Sequence, residues 1–170
     1  MASAFRIADR TAPVRAVLLA GIAGNVAISL YLSVALPVFF KRSPLLLFQW
    51  DAANITGAWA YAHGLAAAAL GLFFDFIVSW CWAAAFTLLY ANVPAVRRSP
   101  AIAGLIFGAV VMGVMLFLVV PLGHAARAST NPISLLDTLV AHTIFFGLPV
   151  ALVVHRTLRL PRAQSWNAQG

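Results

Sequence analysis

The chain has 170 residues, of which 63% are hydrophobic and only 9% charged, with a mean hydropathy of +0.95. No water-soluble domain of this size has enough interior to hide that much apolar surface, so a soluble fold is excluded. The formal net charge of +7 does not indicate nucleic acid. Its basic residues stand at the ends of apolar runs rather than on one face, where they serve topology and contact with anionic lipid.

Residues 1–13 read as a basic, amphiphilic leader lying at the membrane surface, with Phe5 and Ile7 set among Arg6, Asp9 and Arg10. Four apolar runs follow, at 16–40, 65–91, 101–123 and 133–154. Each matches the roughly 20 residues a helix needs to cross the hydrocarbon core. The first run is too long for a signal-peptide core, and three more spans follow it. It carries Gly21, Asn25, Ser29 and Ser33 at a spacing of four, a narrow small-and-polar stripe of the kind that packs helices in lipid. Pro37 is expected to end or kink that helix.

The connection at 41–64 is rich in Leu, Trp and Tyr, which suits a short interfacial or re-entrant helix rather than a free loop. The second span carries Gly71, Asp75 and Ser79 at a spacing of four. The third carries Gly104 and Gly108 as a small-xxx-small pair, followed by Gly113. The fourth carries Asp137, His142, Gly147 and Pro149, the proline predicting a kink. Residues 161–170 read as a tail. The fold class expected is therefore all-α: an integral membrane bundle of four transmembrane helices, a single domain over 14–160, with a short interfacial or re-entrant segment in the first outer connection.

With four crossings, the N-terminus, the second connection and the C-terminus share one side. That side holds eight of the eleven basic residues, which predicts that both termini are cytoplasmic and that 41–64 lies outside. Cys81 is the single cysteine, so no intrachain disulfide can form.

Asp75 is the sharpest chemical feature. A carboxylate near mid-span is costly unless neutral, paired or facing water. Antiparallel packing would gather Asn25, Ser29, Asp75, Ser79 and His142 at one level. Such a cluster either serves a proton or small polar substrate, or fixes helix register as hydrogen-bonded glue. Gly21, Gly71, Gly104, Gly108 and Gly113 are the expected helix-packing positions. Asp137, one turn into its run, fits a first-turn acid. His142 and His155, thirteen apart, suggest haem only if an opposing helix supplies histidines, and the second span has none. His63, His124 and Asp51 form a thin metal set. No nucleophile elbow, phosphate loop, HExxH or dinucleotide fingerprint occurs. No cofactor and no metal are therefore expected. The expected partners are the lipid bilayer and either a second copy or another membrane protein.

The stretch around Gln49, Asp51, Ala52, Gly57, Ala69, Leu70 and Gly71, with Pro121 and Leu122 later, resembles the small bacterial inner-membrane proteins of the YagU type. The resemblance covers roughly residues 45–155. It implies four membrane helices in a bacterial cytoplasmic membrane and no particular activity. The chain departs from the family pattern at Asp75, where relatives have a histidine. The leading expectation is a non-enzymatic membrane scaffold or accessory subunit. The alternatives are a small transport or permeation protein using the Asp/His/Asn level, then a haem- or metal-binding protein.

Overall fold

The computed structural model describes residues 11–127 and 129–159. The expected leader and tail lie outside the described residues, except that 11–13 open the first helix. Among the described residues the chain is helical with no strand, and four helices are long and apolar enough to cross a membrane. This is a multi-pass membrane protein built as an all-α four-helix bundle.

The first span is α1 (Thr11–Phe40). It is followed by α2 (Leu45–Thr56) and the single turn α3 (Trp59–Ala62). The second span is α4 (Gly64–Asn92), with a short α5 (Pro94–Arg98) after it. The third span, Pro100–Leu122, comprises α6 (Pro100–Val114), a π-helical segment Met115–Val119 and α7 (Val120–Leu122). The fourth, Pro132–Arg159, comprises α8 (Pro132–Val140), a second π-helical segment Ala141–Gly147 and α9 (Leu148–Arg159).

Local chemistry accounts for the starts and stops. Pro94, Pro100 and Pro132 each sit in a first turn, where a missing N–H costs nothing. The Asn131 side chain caps α8 by accepting from the Ser134 N–H at 2.8 Å. Gly57 ends α2 at φ +65°, a conformation glycine adopts without strain, and its N–H donates to the Ala53 carbonyl. Arg97 closes α4 by donating to the carbonyls of Tyr90 at 3.1 Å and Ala91 at 2.6 Å.

The two π segments end just before Pro121 and Pro149. A proline removes one i→i−4 hydrogen bond and clashes with the preceding turn, and a widened turn relieves that clash. The kink expected at Pro149 is thus absorbed as a π-helical stretch. Pro37 neither ends α1 nor breaks it, for the helix runs on to Phe40.

The first span is the centre of the assembly. α1 packs on α4 along one side and on the fourth span along the other, and α6 packs on the fourth span. The main core gathers Phe86, Tyr90, Phe107, Phe146, Val150 and Val154 from spans two, three and four. Glycines set the closest approaches. A Cβ on Gly104 would meet the Gly147 carbonyl oxygen at 2.7 Å, and one on Gly108 would collide with the His142 carbonyl. The third and fourth spans therefore touch backbone to backbone, as small residues permit in lipid. Gly21 lies under Trp80, and Gly71 under the Phe48 carbonyl of α2. Gly113 differs from its expectation: nothing lies within 4 Å of where its Cβ would stand, so no close helix approach depends on its being glycine. Large side chains such as Leu30, Val34, Leu65, Ile102, Ile106 and Phe117 face outward, where lipid replaces water as the neighbour.

Helix α2 does not hang free in its connection. It packs along the first half of α4, with Ala52 and Ala53 closing on Ala60 and Ala67. Two further bonds tie it to the third connection. Trp50 Nε1 donates to the Ala126 carbonyl at 2.9 Å, and the His124 N–H donates to the Asn54 carbonyl at 3.0 Å.

Candidate functional site

The antiparallel contact of α1 with α4 sets the interior polar level. Gly21 on α1 meets Trp80 on α4, so one turn further along α1 Asn25 meets the turn of α4 that holds Asp75 and Ser79. Asn25 is 1% exposed. Its Nδ2 donates to Asp75 Oδ2 at 2.8 Å and to Ser79 Oγ at 3.3 Å. Its Oδ1 is buried with no partner, and so is Ser29 Oγ, one turn along the same helix. A buried amide in this position must bond or lose its solvation outright, so the link holds α1 and α4 in one register.

The fourth span contributes differently from the sequence expectation. His142 does not join Asn25 and Asp75. Its Nδ1–H donates to the Thr138 carbonyl of its own helix at 2.9 Å, and its backbone lies against Gly108 on the side of the third span. Asp137, expected as a first-turn acid, instead accepts a 2.6 Å hydrogen bond from Tyr31 of α1. The Tyr31 ring stacks on Phe145 with centroids 4.2 Å apart. Tyr90 and His155 share a 2.9 Å hydrogen bond near the end of the bundle that carries the termini. The polar groups of the spans therefore form separate links: Asn25 to Asp75, Tyr31 to Asp137, Tyr90 to His155.

The thin set of Asp51, His63 and His124 weighed from the sequence does not assemble. Among the described residues no group of three or more His, Cys, Asp or Glu comes together. His63 instead stacks on Trp59 at 4.1 Å and donates to the Trp59 carbonyl at 2.8 Å. Asp51 lies on α2, outside the four spans, and α2 packs on α4, the helix of Asp75. Burial first, and then the Asp75 carboxylate, push the Asp51 carboxyl well above the usual carboxylate range. A raised acid pKa favours the folded state at low pH. That contribution is lost as the pH rises through the raised value.

The arrangement places one carboxyl group, one buried amide and one buried hydroxyl together between α1 and α4. Nothing in it pairs a nucleophile with a base. Comparison with known protein families, with curated proteins and with solved structures finds no match to this chain.

Proposed function

We propose that this membrane bundle is a non-enzymatic scaffold or accessory subunit of a bacterial cytoplasmic membrane, of the same general type as the YagU proteins. One observation carries the reading. The hydrogen bonds of polar side chains deep in the spans are separate links between two helices, or to their own helix, rather than one continuous chain. A relay for protons needs successive groups within hydrogen-bond reach, whereas register-fixing pins do not. The broad outward apolar surface suits a partner within the bilayer, either a second copy or another membrane protein.

Both termini are assigned to the cytoplasm because eight of the eleven basic residues flank the spans on that side. Reporter fusions at residue 170 and within 41–64 test this, and periplasmic activity from the C-terminal fusion would reverse the orientation. A second reading, a small transport or permeation protein, is favoured by the Asp75 carboxyl within a span. Proteoliposomes decide between the two. The scaffold reading predicts proton and cation flux no greater than in protein-free vesicles. A pH-dependent flux that disappears in Asp75→Asn would replace it with transport.

A further inference from the structure

At the end of the bundle that carries the termini, one polar link ties the second span to the fourth. Tyr90 Oη and His155 Nδ1 lie 2.9 Å apart, which draws the end of α4 against the last turns of α9. Just beyond it, Val96 of α5 and Leu158 of α9 both pack on the main core. Arg97 and Arg98 follow the first in sequence, and Arg159 follows the second. Arg159 is also one turn beyond His155, so the two share a face of α9. Three guanidinium groups therefore border the seam between the α4–α5 corner and α9.

Arg97 is already fixed there. It donates to the carbonyls of Tyr90 and Ala91 through Nη1, and its remaining N–H groups have no partner among the described residues. Arg98 and Arg159 are exposed and make no side-chain hydrogen bond or ion pair among the described residues. The described acids all lie elsewhere: Asp51 on α2, Asp75 near the middle of α4 and Asp137 on α8. One turn before the corner, Leu88 and Leu89 of α4 are 65% and 42% exposed. The seam thus offers unbalanced positive charge at headgroup depth, next to apolar surface at acyl-chain depth.

We propose that this seam binds one anionic phospholipid, its phosphate held by Arg97, Arg98 and Arg159 and its acyl chains lying against Leu88 and Leu89. Arginine suits the task because its planar fork grips phosphate oxygens in pairs. A guanidinium already held by two carbonyls loses little further freedom on binding. A phosphatidylcholine phosphate carries its own ammonium and leaves the arginines unbalanced. Free phosphate has the charge but covers no leucine. A defined site also differs from the general pull of a basic surface, which falls on every arginine at this end alike. Arg15 is the internal comparison. It lies nine residues before Gly24, the α1 glycine that meets Phe146 and Val150 of the fourth span. At about 100° per residue it points to the opposite side of α1, away from α9.

The test uses the full chain, stripped of lipid in a neutral detergent and titrated with phosphatidylglycerol or phosphatidylcholine in mixed micelles. Native mass spectrometry counts the lipids held per chain. The expected result is saturable binding of one phosphatidylglycerol, at least about tenfold tighter than phosphatidylcholine. Arg98→Gln and Arg159→Gln should fold normally, since neither side chain holds a bond among the described residues, and each should weaken binding about fivefold. Arg15→Gln should leave it unchanged. No saturable binding, or phosphatidylcholine bound as tightly, would overturn the proposal. Equal weakening by Arg15→Gln and Arg159→Gln would reduce the seam to diffuse attraction. Full displacement of the lipid by millimolar inorganic phosphate would make it a site for a soluble anion instead.

Discussion

Gly108→Leu should be among the most damaging single substitutions in this protein, and Gly113→Leu, five residues away on the same helix, nearly silent. A side chain on Gly108 runs into the carbonyl of His142, and one on Gly104 meets the carbonyl of Gly147 at 2.7 Å. Both obstacles are backbone, which cannot swing aside as a flexible side chain can. The third and fourth spans must then separate, losing dispersion contacts along their whole interface. Overpacking of this kind typically costs about 1–3 kcal/mol, and a backbone obstacle argues for the upper part of that range. Gly71→Leu belongs with them, because the Phe48 carbonyl of α2 lies against it. At Gly113 the space is open, and the change should fall within about 0.5 kcal/mol of neutral. Thermal unfolding in detergent measures all four. A stable Gly108→Leu would mean that the third and fourth spans do not meet at this face.

The second large effect is at Asp75. Asp75→Leu removes the carboxyl oxygen that accepts from Asn25 at 2.8 Å and leaves a buried amide with only the longer contact to Ser79. An unsatisfied buried donor costs about 1–3 kcal/mol. Asp75→Asn keeps an acceptor oxygen in the same place, so it should lose less than about 1 kcal/mol. It also removes the repulsion between Asp75 and Asp51, which offsets part of that loss. Equal unfolding temperatures for wild type and Asp75→Leu would show that Asn25 does not depend on this carboxyl.

The spans were readable because lipid imposes one simple requirement, a long apolar helix, and the four runs meet it. Their ends were less so. The fourth span reaches Arg159, beyond the apolar run that stops at 154. Long basic side chains carry their charge to the membrane surface and let the helix continue under them. The stripe of Gly21 and Asn25 against Asp75 and Ser79 was legible from the spacing of four. Gly113 was not, and helical geometry gives the reason. Nine residues after Gly104, at about 100° each, it points to the opposite side of α6. His142 was placed in the cluster by depth alone, and depth does not fix the direction a residue faces around a helix. Tyr31 and Asp51 were missed for a different reason. Each is placed by tertiary packing, of α1 on the fourth span and of α2 on α4, and a short helix rich in Leu, Trp and Ala carries no pattern that names its neighbour.

The bundle is organised around the contact of α1 with α4 at Asn25 and Asp75, and a double-mutant cycle reads that contact directly. Asn25→Ala, Asp75→Ala and the double variant are unfolded reversibly in mixed micelles, and the coupling between the two sites is taken from the four stabilities. Hydrogen bonds between membrane helices couple by about 0.6 kcal/mol on average and reach about 1.7. A buried amide bonded to a carboxyl at 2.8 Å should lie in the upper half of that range. Additive effects, with no coupling between Asn25 and Asp75, would contradict the register of α1 on α4.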